Sequence, residues 1–316
     1  MVVESIPIVD FAHFKSDPKK VAQDVFDACK SIGFFYMINH AIPQEDIDKA
    51  FELSKEFFDL PKETKRQYLI EEHNHGYSEL YSERLDPEHQ KQGDHKEGFN
   101  FRNFIDGKPF APLPEPFQRQ VDFLAGFSKN CHNTAHSILE AFAIALEVPE
   151  DKGGRLFFQS NHSYEHSAEI LRFLKYPHGG QADYKDPIRA GAHSDYGSIT
   201  LLFQKDVPGL EVQASREAWI SAPLMPGAII VNVGDQMELW TGGLFKSTKH
   251  RVTFLPEHQH LDRYSIPFFV HPNDDTPLTP VPSKYVTVQS FDGQIQTAGE
   301  HLRQRLDATY QYEKQA

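Results

Sequence analysis

His193-Ser194-Asp195 sets an imidazole and a carboxylate two residues apart. If this stretch is extended, both side chains fall on one face and can take adjacent positions around a single ion. His250 offers a third ligand from the run Lys246-Ser247-Thr248-Lys249-His250-Arg251-Val252-Thr253-Phe254, whose alternation of small, polar and branched residues predicts a second strand. Two imidazoles and one carboxylate leave coordination positions open, as in the facial triad of non-heme Fe(II) sites. Open positions suit a metal that must bind dioxygen and an organic cosubstrate together.

A His-x-Asp pair is a weak signal in a chain with 17 histidines, so its context matters. Gly191-Ala192 leads in, Gly197-Ser198 lets the backbone turn past the site, and Ile199-Thr200-Leu201-Leu202-Phe203 predicts a buried strand behind it. Farther along, Arg263 and Ser265 repeat the alternation, placing a guanidinium and a hydroxyl on one face. An arginine fork grips a carboxylate through two charge-assisted hydrogen bonds, and the serine can add a third. This pair is the expected anchor of a dicarboxylate cosubstrate.

The elements that must position these residues can be sketched from periodicity. Asp17 and Pro18 predict the cap and first position of a helix with Val21, Val25, Ala28 and Ile32 on its apolar face, stopped at Gly33. Phe34 to Asn39 predicts a strand, Pro43 opens a second helix bearing Ile47, Phe51, Ser54 and Phe58 on one side, and Pro61 starts a short third one. From about Glu115 to Glu147 the pattern Val121, Leu124, Phe127, Cys131, Ile138, Phe142 and Ala145 predicts one long helix packed on a sheet. Short β-like runs alternate with Gly/Pro turns from Glu169 to about Val270, the density expected of a sandwich or jelly roll. Residues 297 to 312 predict a closing helix.

The sequence resembles the 2-oxoglutarate/Fe(II)-dependent dioxygenases of the isopenicillin N synthase-like family over nearly its whole length. The resemblance is carried by Ile6-Pro7-Ile8-Val9-Asp10-Phe11, by Ser31-Ile32-Gly33-Phe34-Phe35-Tyr36-Met37-Ile38-Asn39-His40, by Ala192 to Leu202 and by Gly242 to Val252; residues 72 to 115 are the least similar part. It implies an α+β, mainly β fold: a double-stranded β-helix (jelly-roll) core with an N-terminal helical region, a long supporting helix and a C-terminal helix. Residues 1–115 are expected to form an N-terminal dioxygenase region with a substrate-pocket loop at about 72–110, and residues 116–316 the jelly-roll core with flanking helices. It further implies that His193, Asp195 and His250 bind Fe(II), that Arg263 and Ser265 hold the distal carboxylate of 2-oxoglutarate, and that Tyr176 hydrogen-bonds the cosubstrate. The implied reaction consumes O2 and 2-oxoglutarate, with ascorbate as an accessory reductant. It oxidises a C–H bond of a small-molecule metabolite, by hydroxylation or by desaturation or cyclisation, and releases succinate and CO2.

Some relatives of that type keep the Arg-x-Ser pair without using 2-oxoglutarate, isopenicillin N synthase and aminocyclopropane carboxylate oxidase among them, so an oxidase of that kind is the alternative. Zn(II) hydrolysis would leave the Arg-x-Ser anchor without a purpose, and a catalytically silent jelly-roll binding protein is the remaining reading. Tyr77, Arg84, Phe99 and Phe101 of the 72–110 loop are the expected substrate contacts, because a loop of that length in a compact domain is usually functional or disordered. Arg172 joins them, since alternation gives it one face with Leu174 and Tyr176. His162 with His166, and His40, are expected to be structural, while His73, His75, His258 and His260 are expected to be solvated.

Bulk properties exclude other classes. A net charge of −13 with no lysine or arginine cluster longer than a pair removes a nucleic-acid footprint. No apolar run reaches membrane-spanning length, and Glu4, Asp10 and Asp17 interrupt the region where a signal peptide needs an uncharged core. Two cysteines, Cys29 and Cys131, are too few for a disulfide framework and fit a cytoplasmic protein. The substrate stays open among nucleobases, phenolics, terpenoid acids and amino-acid derivatives, and the sequence carries no signal for an oligomeric state.

Overall fold

The computed structural model describes residues 4–70, 73–179, 188–253, 255–286 and 295–310. After strand β1 (Ile8–Asp10), Asp17 caps helix α1 (Pro18–Ser31), its carboxylate accepting from the Lys20 amide at 3.3 Å, and Pro18 starts the helix where no N–H is needed. The chain turns at Gly33 with φ +72°, where a Cβ would lie 1.9 Å from the Lys246 carbonyl oxygen, and enters β2 (Phe34–Ile38). Helices α2 (Gln44–Phe58) and α3 (Lys62–Lys65) follow Pro43 and Pro61, as expected. Strands β3 (Gly76–Ser78) and β4 (Glu97–Arg102) then pair antiparallel.

The long helix expected from Glu115 to Glu147 is two helices, α4 (Glu115–Gln118) and α5 (Val121–Ala145). Gln120 leaves helical geometry at φ −120° and ψ 25°. Phe117 and Leu124 stay buried on either side of the break, so hydrophobic periodicity runs through it unchanged.

The remaining strands are β5 (Ile170–Tyr176), β6 (Ile188–His193), β7 (Ile199–Lys205), β8 (Leu210–Gln213), β9 (Trp219–Ser221), β10 (Ala228–Val233), β11 (His250–Thr253) and β12 (Arg263–Val270). Helix α6 (Asp235–Trp240) lies between β10 and β11, and α7 (Ala298–Tyr310) is the closing helix. An eight-stranded sheet runs β1-β2-β10-β7-β12-β5-β4-β3, and a four-stranded sheet runs β6-β11-β8-β9. Phe34, Tyr36 and Ile230 of the large sheet pack with Leu210 and Val212 of the small one, so the two sheets close over a shared apolar interior. The main core joins the large sheet to α1, α2 and α5. The fold is the expected jelly roll with a helical N-terminal region, a long supporting helix and a C-terminal helix. The strand expected around His250 starts at His250 rather than Lys246; Phe254, and residues 311 and 312 of the closing helix, lie outside the described residues, as does residue 72 of the long loop. Among the described residues no helix is long and apolar enough to cross a membrane.

That loop is built around β3 and β4, and the alternation of β4 sorts its side chains. Phe99 and Phe101 are fully buried and pack edge-on against Phe117 at 5.0 and 4.8 Å, with Phe57 5.0 Å from Phe99. Tyr77, opposite Phe99, joins them and donates to Glu97 Oε2 at 2.6 Å. These rings fasten the sheet to α2 and α4. Phe99→Ala should therefore lower the unfolding free energy by about 3–5 kcal/mol. Chemical denaturation checks this, and an unmoved midpoint would contradict the core placement.

Candidate metal centre and anion anchor

His193 ends β6 and His250 begins β11, and the antiparallel register places the two directly opposite each other. Their rings lie 4.3 Å apart. Each is fixed by the backbone two residues before it: His193 Nδ1 bonds the Gly191 carbonyl at 2.8 Å, and His250 Nδ1 bonds the Thr248 carbonyl at 3.3 Å. A carbonyl can only accept, so both imidazoles carry a proton on Nδ1 and turn Nε2 toward the gap. Asp195 Oδ1 stands 3.8 Å from His193 Nε2 and 3.7 Å from His250 Nε2.

The other Asp195 oxygen is already used. Oδ2 accepts from Thr200 Oγ1 at 2.6 Å and from Asn232 Nδ2 at 2.7 Å, which fixes the rotation of the carboxylate and directs Oδ1 at the imidazoles. Burial pushes the Asp195 carboxyl up, but His250, His193 and the two hydrogen bonds outweigh it and hold the group below the usual carboxylate range. Burial, with His250 beside it, pulls His193 down to about 4, so its ring is neutral and able to ligate. The three ligand atoms all lie within 4.8 Å of one another, a spacing that one ion can bridge, and they form the one such group among the described residues. Gly234 lets α6 start hard against this turn: a Cβ there would come 2.3 Å from the Gly197 carbonyl, while Asp235 donates its amide to the Asp195 carbonyl at 2.8 Å.

Arg263 and Ser265 sit on β12 in the large sheet, with Tyr176 of β5 paired to Arg263. Arg263 is 1% exposed, yet no Asp or Glu among the described residues forms an ion pair with it. Its Nη2 donates to Gln204 Oε1 at 2.9 Å, its Nη1 to Ser265 Oγ at 3.3 Å, its Nε has no partner, and its guanidinium lies 5.0 Å from the Tyr176 ring centre. Burial pulls the guanidinium below its ordinary value, with Tyr176 partly offsetting it. A buried cation without an anion is destabilised by several kcal/mol, at the order of magnitude typical of desolvated ions. The chemistry of this spot asks for a carboxylate. Leu174 and Tyr176 from the large sheet meet Ala190 and Val252 from the small one in a small apolar cluster.

A pocket of about 120 Å³ opens beside Asp195. Arg172, Leu174 and Tyr176 all line it, the shared face that alternation along β5 predicts. Arg84 does not reach it and instead donates Nη2 to the Lys91 carbonyl at 2.8 Å, while Tyr77, Phe99 and Phe101 face the aromatic core on the opposite side of β4. Glu83, Lys96 and Asn100 reach the wall from the same long loop and strand, and Leu302 and Leu306 cover it from α7. Sequence reasoning does not single out these residues, nor Thr200, Asn232 and Gln204. Asn232 does leave a signal, as a lone amide inside the apolar run Ile229-Ile230-Val231-Asn232-Val233.

Two of the other histidines hold local structure. His162 is fully buried, with Nδ1 at 2.7 Å from the Phe158 carbonyl and Nε2 at 2.8 Å from Ser198 Oγ, and His40 Nδ1 accepts from the Ile42 amide at 3.3 Å. His75, expected in solvent, is half-buried against Phe99 and Phe110 because β3 carries it onto the aromatic cluster.

The chain matches the family model for the N-terminal region of non-haem dioxygenases in morphine synthesis over residues 6–120, and that of the 2OG-Fe(II) oxygenase superfamily over residues 165–272. A UPF0676 protein of Schizosaccharomyces pombe is 37% identical over 97% of this chain and 93% of its own length. A 1-aminocyclopropane-1-carboxylate oxidase of Dictyostelium mucoroides is 29% identical over 98% of this chain and 92% of its own. A full-length Neurospora crassa protein, solved as a crystal structure in complex with alpha-KG and thymine, is similar at a TM-score of 0.83 and 29% identity, covering 96% of each chain.

The hydrogen bond from Asn232 generates a prediction that does not depend on turnover. Asn232→Ala frees Asp195 Oδ2 and should weaken Fe(II) binding by about 10–100-fold, the usual effect of removing a group that orients a ligand. Anaerobic metal titration reads this, and an affinity equal to that of the unaltered protein would contradict it.

Proposed function

The chain belongs to the 2OG-Fe(II) oxygenase superfamily, and from that premise we propose that His193, Asp195 and His250 hold its iron while Arg263, Ser265 and Tyr176 hold 2-oxoglutarate. The observation that carries the assignment is Arg263, a fully buried guanidinium with no acidic partner among the described residues, set behind Tyr176 on the pocket side of the sheet. A dicarboxylate supplies the absent anion at one end and, at its other end, donors for the coordination positions that three protein ligands leave open.

Bound together, iron and 2-oxoglutarate supply the O2-dependent oxidation of a C–H bond with release of succinate and CO2. The protein's own residues supply position and exclusion. Thr200 and Asn232 hold the Asp195 carboxylate in one rotation, the Gly191 and Thr248 carbonyls hold the two imidazoles, and Gln204 and Ser265 hold the Arg263 fork in plane. Leu174, Ala190 and Val252 pack with Tyr176, which borders Arg263, and an apolar surround strengthens the charge pairing at the anchor. In this reading residues 116–316 carry the iron and cosubstrate ligands, and residues 1–115 contribute the pocket wall through Glu83, Leu85, Lys96 and Asn100.

The substrate proposed is a small-molecule metabolite, and hydroxylation is the first expectation, with desaturation or cyclisation as variants at the same centre. The thymine bound to the similar Neurospora crassa structure supports a small molecule. The buried free thiols of Cys29 and Cys131 fit a reducing compartment, and the cytoplasm is the proposed location. A second reading, an oxidase that does not consume 2-oxoglutarate, draws on the relative named as an aminocyclopropane carboxylate oxidase. Succinate formation separates the two.

Asp195→Ala removes the one anionic ligand and should abolish O2 consumption; oxidation at the normal rate would overturn the ligand set. Arg263→Ala should raise the 2-oxoglutarate requirement by about 1.5–3 kcal/mol of binding energy, the size of a hydrogen bond to a charged group. The KM for 2-oxoglutarate in a succinate assay measures it, and an unchanged KM would place the cosubstrate elsewhere.

A further inference from the structure

The pocket beside the proposed iron site contains two cations whose charge is cancelled within the wall. Lys96 Nζ lies 2.6 Å from Asp94 Oδ2 and 3.3 Å from Glu83 Oε2, and Arg172 Nη2 pairs with Glu83 Oε1 and donates to Ser78 Oγ at 3.1 Å. Glu83, Lys96 and Asp94 are all buried. Burial alone would push the Glu83 carboxyl up, yet Arg172 and Lys96 pull it down to about 2; burial pulls Lys96 down, and Asp94 and Glu83 more than restore it. The wall thus sets two positive charges against two negative. The contrast with Arg263, which has no such partner, is direct.

One open hydrogen-bond acceptor on this wall belongs to an amide. Asn100 sits opposite Arg172 in the β4–β5 register and is 3% exposed. Its Nδ2 donates to Asn74 Oδ1 at 2.8 Å, while its Oδ1 has no hydrogen-bond partner. A buried acceptor left without a donor is unfavourable, and a ligand N–H or O–H would relieve that cost. Phe269, Leu302 and Leu306 supply apolar surface to the same pocket. The volume, about 120 Å³, is close to the ~150 Å³ cavity that holds a benzene molecule.

We propose that this pocket admits a compact, uncharged, single-ring substrate whose N–H or O–H is accepted by Asn100 Oδ1, and that Glu83 sets this preference by neutralising Arg172 and Lys96 within the wall. The inference rests on the adjoining metal centre being where the substrate reacts. An anionic ring would enter a wall whose cations are already paired and would have to break those pairs. Removing the Glu83 charge leaves one positive charge uncancelled, and the same wall then favours an anion.

Benzamide and benzoate test this as a matched pair of equal size, one neutral with an N–H donor and one anionic. Binding is measured by calorimetry on the full-length protein with Fe(II) and 2-oxoglutarate present under anaerobic conditions. Benzamide should bind more tightly than benzoate by roughly tenfold or more, in line with a site that discriminates by hydrogen bonding and charge. Glu83→Gln should reverse or erase that ratio. Asn100→Ala leaves the ion pairs intact, so it tests the proposal even if Glu83→Gln does not fold; it should weaken benzamide by roughly tenfold and leave benzoate unchanged. Benzoate binding as tightly as benzamide, neither ring binding, or an unmoved ratio in both variants would overturn the proposal. Heats of binding for 2-oxoglutarate recorded in the same cell test the metal and cosubstrate reading separately, so the two failures are distinguishable.

Discussion

The Gly191 and Thr248 carbonyls accept from Nδ1 of His193 and His250, which turns Nε2 of both imidazoles toward one carboxylate oxygen. That tautomer choice is a property of the strands. Each carbonyl lies two residues before its histidine, so the same extended backbone that carries the ring also fixes its proton, and the β6–β11 register brings the two rings opposite each other. The turn after β6 then delivers Asp195 to the gap, held by Thr200 from β7 and Asn232 from β10. The small sheet and the turn after it thus supply the proposed ligands, the large sheet holds Asp195 in place, and the jelly roll brings the two to one point.

A second constraint is where charge is balanced and where it is not. Lys96 and Arg172 meet Glu83 and Asp94, and that part of the pocket wall is electrically closed. Arg263 meets only an amide oxygen, a hydroxyl and an aromatic face. In a low-dielectric interior that difference amounts to several kcal/mol, enough to decide where an anion settles. The proposed cosubstrate therefore has one destination and the proposed substrate another, and the same rule of charge pairing assigns both.

How much of this was legible in the sequence follows from what each signal depends on. His193 and Asp195 share a two-residue spacing, but β6 ends at His193 and a turn, not alternation, delivers Asp195; Arg263 and Ser265 show through the same spacing, and along β12 that alternation survives into the fold. The shared face of Arg172, Leu174 and Tyr176 was readable for the same reason. For β4 the alternation was present but the aromatic side drew attention: Phe99 and Phe101 face the core, and the pocket takes Asn100 from the other face. Glu83 and Lys96 could not be placed, because their meaning comes from each other and from Arg172, far away in sequence. The break before α5 was invisible because it conserves the buried face. Gln204, beside Arg263, depends on the β7–β12 pairing, which no local pattern encodes.

The central claim, that the three-ligand centre and the buried guanidinium form one site for iron and 2-oxoglutarate, is tested most directly by anaerobic titration of the metal-free protein with Fe(II) and then 2-oxoglutarate. The account predicts a saturable visible charge-transfer band from the metal–cosubstrate chelate, appearing only when both are present. Stoichiometric iron binding with no such band at saturating 2-oxoglutarate would contradict it.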